Sequence, residues 1–219
     1  MTAERGSTRG IIFDMDGVLV DSGAHHRAAW RALLEEVGAT PPQADYWRLT
    51  IGRPAEEAVG LLLGRSLSEA EARRLARRKR DHYVKLAGRD TPAVPGAREF
   101  VGEVARRGIP CAVATSASRH DVSRLLRGLG LIQHFSVIVT AEDVSWGKPD
   151  PEVYLLAARG IRQTPERCLV FEDSLVGVQA ARRAGMRVIG LASAHTDEEL
   201  RAAGAERVIP NFEAVTWPL

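Results

Sequence analysis

Residues 14–22 read DMDGVLVDS and follow directly on the short apolar run GIIF at residues 10–13. A run without polar alternation is typical of a strand in a parallel sheet that is covered on both faces. Ligands of such sheets bind beyond the carboxyl ends of the strands, so Asp14 and Asp16 fall where a binding site is expected. Two close carboxylates repel each other and favour a bound cation. We therefore interpret this segment as a strand end that begins a cation site; the alternative is a pair of loop aspartates that cap a turn.

Five more apolar, β-rich runs follow in the later part of the chain, and helical patterns such as that at residues 97–107 precede or separate them. The runs lie at residues 111–114, 137–140, 168–171, 187–191 and 207–209. Short strands that alternate with helices indicate an α/β fold. The sequence therefore predicts a doubly wound parallel sheet with helices on both faces.

The chain between the first run and the others contains helical patterns only. They cover residues 24–37, 55–63 and 68–87, and each ends before a glycine, which is a typical C-terminal signal of a helix. Ser68 and Glu71 have the spacing of a capping box. The sequence thus predicts an all-helical domain inserted after the first strand. We expect it to comprise residues 22–91, with residues 1–21 and 92–219 forming the α/β core.

The composition is that of a soluble globular protein. Of 219 residues, 45% are hydrophobic and 26% are charged, and 30 Lys plus Arg stand against 28 Asp plus Glu, which gives a net charge of +2. This balance argues against a polybasic nucleic-acid arm. The first ten residues are polar, and no apolar run approaches the roughly 18 residues of a membrane span. We expect a cytoplasmic monomer with no nucleic-acid or membrane partner.

Two further features have structural interpretations. Cys111 and Cys168 lie in apolar runs, which indicates buried thiols rather than a disulfide or a reactive thiol. The run RRLARRKR at residues 73–80 would distribute its charges around a helix axis. A solvated helix face is therefore favoured over a basic patch.

A second pair of acids, Glu172 and Asp173, follows the run at residues 168–171. Mg²⁺ prefers oxygen ligands and usually keeps water and a substrate phosphate in its shell. Acids from two strand ends would supply such a site together with a phosphate oxygen. Taken alone, the pair would more often form an N-terminal helix cap, to which Ser174 could also contribute.

The ends of two more runs carry groups that could bind phosphate. Lys148 lies in the turn GKPDP at residues 147–151, where a cation can offset the charge of a phosphate beside a carboxylate. Thr115 and Ser116 follow another run, and hydroxyls before a helix can bind an anion. Each signal alone is weak, because turn lysines are usually solvated and such hydroxyls are often only helix caps.

Taken together, the four strand ends predict phosphoryl transfer to an aspartate. Asp14 would attack the phosphorus in line, and Lys148 and a cation would neutralise the phosphoryl oxygens. Asp16 would handle the proton of the leaving and entering groups. The aspartyl-phosphate would then pass to water or to another hydroxyl.

The four motifs resemble those of the haloacid dehalogenase superfamily, and more narrowly its β-phosphoglucomutase-like branch, over nearly the whole chain. The resemblance implies Asp14 as nucleophile and Asp16 as general acid/base. It also implies Mg²⁺ held by Asp14, the main-chain carbonyl of Asp16 and Asp173, with Glu172 close by. Dehalogenases of the family lack the second aspartate and need no metal, so Asp16 favours phosphate chemistry. The helical segment would be the family's cap domain, which closes over the site, excludes water and selects the substrate.

Two hydroxyls, those of Thr115 and Ser116, are candidates for the phosphate contact. The segment SASR at residues 116–119 is similar to the SASK of the mutases, which favours Ser116. In the helical segment, His26 and Lys79 resemble sugar-phosphate mutase positions, although His26 could instead line the cap hinge. Arg53, directly after Gly52, resembles the pattern of the phosphatases. The segment GRPAE at residues 52–56 has an alanine where the mutases place an arginine for the distal phosphate, although a neighbouring arginine could substitute.

The sequence therefore predicts a Mg²⁺-dependent phosphatase that hydrolyses a small phosphorylated metabolite, a sugar or polyol phosphate, through an aspartyl-phosphate. The alternative is a β-phosphoglucomutase-like sugar phosphate isomerase. A module that only binds phosphorylated metabolites would be expected to have lost one of the four motifs, and all four are present.

Overall fold

The computed structural model describes residues 8–87 and 91–217. Its centre is a six-stranded, fully parallel sheet with the strand order β3-β2-β1-β4-β5-β6. The strands are β1 Gly10–Phe13, β2 Cys111–Ala114, β3 Val137–Val139, β4 Cys168–Glu172, β5 Arg187–Leu191 and β6 Arg207–Ile209. The predicted α/β class and all six predicted strands are confirmed. β3 ends one residue earlier than expected because Thr140 caps a short helical turn, Ala141–Asp143.

The helices are α1 Gly23–Glu36, α2 Ala55–Leu63, α3 Glu69–Ala87, α4 Ala97–Arg106, α5 Arg119–Gly128, α6 Glu152–Gly160, α7 Leu175–Arg183 and α8 Asp197–Ala203. At the start of α3, the Ser68 hydroxyl accepts the Glu71 N–H at 3.3 Å, which is half of the expected capping box. The Glu71 carboxylate is bound by Arg65 instead. The expected helix-ending Gly88 lies outside the described residues.

The sheet places the predicted motifs side by side. β1 lies between β2 and β4, with Phe13 paired to Val113 on one side and to Phe171 on the other. Since all three strands run parallel, the residues after their carboxyl ends meet at one edge of the sheet. This edge carries the site.

Two apolar clusters cover the two faces of the sheet. One is built around the stacked rings of Phe13 and Phe171, whose centroids lie 5.4 Å apart. The other contains Ile12, Val170 and Tyr154, all fully buried. Burial on both faces explains why the strands read as continuous apolar runs. Cys111 and Cys168 are buried and unpaired, as expected.

Helices α1, α2 and α3 form a helical insert between β1 and β2, and they have an apolar cluster of their own. Its buried members include Trp30, Leu33, Leu62 and Leu75. The insert is helical as predicted, while its exact limits at residues 22 and 91 stay a prediction. In the described part of the chain, no helix is both long enough and apolar enough to cross a membrane.

Candidate active site

A buried lysine joins two of the predicted motifs. Lys148 is 1% exposed, and its Nζ lies 2.7 Å from Asp14 Oδ1 and 2.6 Å from Glu172 Oε1. Although burial lowers it, the two carboxylates hold the pKa of Lys148 well above its usual value. The ammonium is therefore charged and fixed between the ends of β1 and β4.

Glu172 serves mainly to hold its neighbours in place. Besides Lys148, its Oε1 accepts the Tyr154 hydroxyl at 3.0 Å, and its Oε2 accepts the Ser174 N–H at 2.6 Å and the Ser174 hydroxyl at 2.9 Å. Four donors thus saturate this carboxylate. The Ser174 hydroxyl also accepts the Gly177 N–H and caps α7.

Asp173 completes a group of three buried carboxylates. Oxygen atoms of Asp14, Glu172 and Asp173 lie within 4.8 Å of one another. The Ser193 hydroxyl donates to Asp173 Oδ2 at 2.7 Å. Gly17 has a φ of +75°, and a Cβ there would overlap Asp173 Oδ2, so only glycine allows this close approach.

The electrostatics of this group favour a cation. Burial and Glu172 raise the pKa of Asp14 to about 7, although Lys148 lowers it. Burial, Glu172 and Asp14 raise the pKa of Asp173 well above its usual value. The three carboxylates have only the Lys148 ammonium among them, so the site offers several oxygen ligands and too little positive charge to balance them. Such a set fits a hard cation such as Mg²⁺.

Asp16 contacts residues of the helical insert rather than Lys148. Its Oδ1 accepts the Ser22 hydroxyl and lies 3.2 Å from His26 Nε2. His26 Nδ1 in turn lies 2.6 Å from Lys79 Nζ. Because an ammonium only donates, Nδ1 accepts from Lys79 and Nε2 carries the proton that is donated to Asp16. The structure thus brings the predicted residues His26 and Lys79 into one polar chain that ends on Asp16.

This chain is buried, and burial shifts the pKa of each member. Burial lowers the pKa of Lys79 from 10.5 to about 8, although Asp16 and Asp121 raise it. Burial and Lys79 lower the pKa of His26. Burial raises the pKa of Asp16, but His26 and Ser22 outweigh it and leave the pKa below its usual value. Asp16 is therefore held as a carboxylate.

The two candidate phosphate hydroxyls make different contacts. The buried Thr115 hydroxyl accepts the Ala117 N–H at 3.1 Å, whereas the Ser116 hydroxyl donates to the Gly52 carbonyl of the insert at 3.0 Å. The preference for Ser116 stays a prediction. The Arg53 guanidinium pairs with Glu57, and its role in substrate binding stays a prediction.

The helical insert covers this site. Asp14 is only 5% exposed, and ion pairs join the insert to the core on two sides, Arg80 to Asp121 and Arg48 to Glu199. A surface cleft of about 740 Å³ lies along α5, and its lining does not include Asp14, Asp16 or Asp173. Motif reasoning did not identify Tyr154, Ser193 or the two ion pairs. Only Ser193, just after β5, carried a signal, because it follows a strand end.

A comparison with known protein families identifies the family to which the chain belongs. Residues 8–185 match the family described as haloacid dehalogenase-like hydrolase. The chain belongs to this family of hydrolases. The predicted resemblance is thereby confirmed, and the motifs that carried it are the residues assembled at the sheet edge.

Relatives within the haloacid dehalogenase-like hydrolases share nearly the full length of the chain. The validoxylamine A 7'-phosphate phosphatase of Streptomyces hygroscopicus subsp. limoneus is 36% identical over 214 residues, which covers 94% of this chain and 95% of the relative. The phosphorylated carbohydrates phosphatase of Thermotoga maritima is 34% identical over 201 residues, with coverages of 91% and 93%. The crystal structure of β-phosphoglucomutase from Clostridium difficile superposes with a TM-score of 0.83 at 28% identity, with coverages of 95% and 93%. The expected enzyme class, a phosphoric monoester hydrolase, agrees with the family and with the named phosphatases.

Proposed function

We propose that this protein is a Mg²⁺-dependent phosphatase that hydrolyses a small phosphorylated metabolite, a sugar or polyol phosphate, through an aspartyl-phosphate on Asp14. The observation that carries the proposal is the buried Lys148, 2.7 Å from Asp14 Oδ1, beside the carboxylate of Asp173. The names of the two phosphatase relatives support the substrate class.

Two proton transfers accompany the proposed reaction. A carboxylate oxygen of Asp14 bonds to phosphorus as the ester oxygen leaves, and that oxygen takes a proton from Asp16. Water then attacks the aspartyl-phosphate, gives its proton to Asp16, and releases inorganic phosphate and free Asp14. The donors on Asp16, Ser22 and His26, favour its carboxylate form, so Asp16 carries a proton only in passing: it accepts one from water in the second step and gives it to the leaving oxygen of the next substrate.

The cation would be held by Asp14, Asp173 and the main-chain carbonyl of Asp16, with Glu172 beside it. When bound, Mg²⁺ supplies positive charge to the phosphoryl oxygens. Lys148 supplies a second positive charge beside Asp14 and keeps that carboxylate oriented. Glu172 positions Lys148, because its oxygens are occupied by four donors.

The helical insert acts as a cap in this proposal. It leaves Asp14 5% exposed, which keeps bulk water from the nucleophile. Ser116, and Thr115 beside it, would bind phosphate oxygens next to the contact with Gly52. His26 and Lys79 face the substrate from the insert.

A β-phosphoglucomutase-like isomerase is the second candidate. The observation that favours it is the buried chain from Lys79 through His26 to Asp16, at positions that resemble those of the mutases. Against it, Arg53 pairs with Glu57, and no arginine follows it to bind a distal phosphate. Conversion of β-glucose 1-phosphate to the 6-phosphate in the presence of a catalytic bisphosphate would establish the isomerase.

The proposed function is tested by release of phosphate from an aryl phosphate and a panel of sugar phosphates. We expect hydrolysis with Mg²⁺ that is lost on addition of a chelator and that falls by at least about 10³-fold in Asp14→Asn, because the nucleophile is removed. The matched control is Asp21→Asn, the same change at an exposed aspartate of the same motif. Asp21→Asn should retain wild-type turnover. Hydrolysis that survives in Asp14→Asn would falsify the assignment.

A further inference from the structure

Arg48, in the insert, contacts two residues of the core that the proposed reaction does not use. Its Nη2 lies 3.1 Å from His195 Nδ1, and the same guanidinium pairs with the Glu199 carboxylate. His195 is 8% exposed and lies in the connection between β5 and α8, and Glu199 lies in the first turn of α8. Burial and Arg48 lower the pKa of His195, although Glu199 raises it, so the ring is neutral at pH 7. Because a guanidinium only donates, His195 Nδ1 is the acceptor.

The core side of this contact is itself held in place. Glu199 Oε2 also accepts the Thr196 N–H at 2.9 Å, and the Thr196 hydroxyl accepts the Glu199 N–H at 3.2 Å, which forms a capping box at the start of α8. In the same connection, the Ser193 hydroxyl donates to Asp173 Oδ2 at 2.7 Å. The partners of Arg48 therefore belong to a segment that is fixed to a carboxylate of the proposed cation site.

On the insert side, Arg48 lies just before the loop at residues 51–54. It belongs to the short helical turn Tyr46–Thr50, and its main-chain carbonyl accepts the Ile51 N–H at 3.4 Å. The position of Arg48 is therefore passed on to the loop through the main chain.

This loop contacts three of the four motif segments. The Gly52 carbonyl accepts the Ser116 hydroxyl at 3.0 Å, and Gly52 packs so closely on Ser174 that a Cβ would lie 2.3 Å from its Oγ. Pro54 packs on Gly147 of the lysine turn, where a Cβ would lie 2.6 Å from Pro54 Cγ. A displacement of the loop would therefore change the cover over all three segments.

We propose that Arg48 is a positioning residue, whose contacts with His195 and Glu199 hold the loop at residues 51–54 over the phosphate site and favour the closed arrangement of insert and core. The inference rests on the proposed function. A partly exposed polar contact contributes little to the stability of either part. It can still shift the balance between closed and open molecules severalfold, and only the closed ones are ready to bind substrate fully.

Arg48→Met tests this role, because it removes the donors and keeps most of the length of the side chain. Without substrate, hydrogen exchange should rise at residues 51–53 and stay at the wild-type level in the sheet. With the best sugar phosphate of the panel, kcat/KM should fall about fivefold, the effect of an ion pair at a partly exposed boundary. The loss should lie in KM, with kcat changed less than about twofold, because saturating substrate itself holds the insert closed.

Two further variants serve as controls. Arg48→Lys should recover most of the lost kcat/KM, because a lysine can still pair with Glu199. Arg73→Met is the same change at an arginine whose partner, Glu69, lies in the insert itself, and it should alter neither KM nor exchange at residues 51–53.

A double variant tests whether Arg48 acts through the loop. In Gly52→Ala the added Cβ already holds the loop away from Ser174. Arg48→Met should then lower kcat/KM no further in the Gly52→Ala background, because two changes that act through one contact are not additive.

The possible results separate this inference from the proposed function. If exchange at residues 51–53 is unchanged in Arg48→Met, the contacts do not hold the loop, and the inference is wrong whether or not the protein is active. If exchange rises but KM stays at the wild-type value, Arg48 only stabilises its own turn, and the positioning role is wrong. If the effects of Arg48→Met and Gly52→Ala multiply, Arg48 does not act through the loop. If the wild-type protein releases phosphate from no ester, the proposed function itself fails, while the exchange result still decides whether Arg48 holds the loop.

Discussion

Lys79 is a charged residue that the fold buries beside the proposed active site. It is 7% exposed, and burial lowers its pKa from 10.5 to about 8. Its ammonium faces His26, Asp16 and Asp121 and lies over the rings of Trp30 and Tyr83 at 4.9 and 5.4 Å. A lowered lysine pKa means that the folded state disfavours the charged form.

We therefore expect Lys79→Met to stabilise the protein at pH 7 while it lowers kcat/KM for sugar phosphates. Each unit by which the Lys79 pKa is lowered corresponds to about 1.4 kcal/mol of unfolding free energy that the variant recovers. The variant also loses the contacts of the ammonium with the two aromatic rings, so we expect the net increase in unfolding free energy to be roughly 1–3 kcal/mol. Urea unfolding at pH 7 measures it. Lys85→Met, at an exposed position of the same helix, is the control and should change stability by less than about 0.5 kcal/mol.

The pH dependence gives the same prediction a second test. As pH rises from about 8 towards 10.5, the folded wild-type protein has lost the Lys79 proton while the unfolded chain still binds it. Stability of the wild type therefore rises relative to Lys79→Met over this interval, and the advantage of the variant shrinks. An advantage that stays constant between pH 7 and 9.5 would show that the charge of Lys79 is not its cause.

At the scale of elements, the loop before α2 decides how closely the insert approaches the core. Gly52 has a φ of +74°, and a Cβ there would overlap the Ser174 side chain at the start of α7. Its carbonyl accepts the Ser116 hydroxyl at 3.0 Å. The insert can therefore approach Ser116, one of the two residues proposed to bind phosphate, only with glycine at position 52.

We expect Gly52→Ala to hold the insert away from the core and to lower kcat/KM about 10- to 100-fold, because a displacement of about 1 Å at a reacting site has this effect. Hydrogen exchange should rise at residues 51–54 and 174–176, with the sheet unchanged. Gly64→Ala is the matched control. Gly64 also has a positive φ, +62°, but a Cβ there meets nothing within 4 Å. If kcat/KM fell equally in both variants, backbone strain alone would explain the loss, and the approach of the insert would not be its cause.

Elements also explain how much of the site the sequence predicts. Asp14 and Asp173 directly follow apolar strands, Glu172 ends one, and Lys148 lies in the connection after β3. Parallel strands present their carboxyl ends on one edge, so pattern and topology together predict that these residues meet.

The burial of Lys79 has only an indirect signal. Lys79 lies on the same helix face as Leu75 and Ala76, the two apolar residues of RRLARRKR, but a lysine at the edge of such a face usually extends its ammonium into solvent. The remaining arginines of this run are exposed or half-buried, as a solvated face requires.

Partners that come from distant elements have only a weak local signal, such as the strand end before Ser193, or none. Ser193 lies 20 residues after Asp173, and Asp121 lies 41 residues after Arg80. Their meeting depends on the twist of the sheet and on the position of the insert. A serine in the turn after a strand, like Ser193, or an aspartate in a first helical turn, like Asp121, usually has only a local structural role, so its contact is recognised only once the packing is known.

At the scale of the whole molecule, insert and core each have apolar clusters of their own, and polar contacts join the two. The insert has its own apolar cluster around Trp30, Leu33 and Leu75, distinct from those on the two faces of the sheet. The contacts described between insert and core are mainly polar; they include Arg80 with Asp121, Arg48 with Glu199, Ser116 with Gly52 and the buried pair His26 with Asp16. Polar contacts at a partly exposed boundary contribute little to stability, typically below about 1 kcal/mol each. The insert should therefore open or unfold without the sheet.

Leu33→Ala tests this separation. Leu33 is 1% exposed in the cluster of the insert, and its truncation should cost about 2–5 kcal/mol of local stability through lost burial and a cavity. Hydrogen exchange should then rise in α1, α2 and α3, while β1 and β4 keep wild-type protection, because local opening need not involve the rest of the fold. Val170→Ala, a truncation at a fully buried position of β4, provides the contrast and should raise exchange in the sheet as well. If Leu33→Ala raised exchange in β1 and β4 by the same factor as in the insert, insert and core would unfold as one unit, and the proposed cap would have no independent motion.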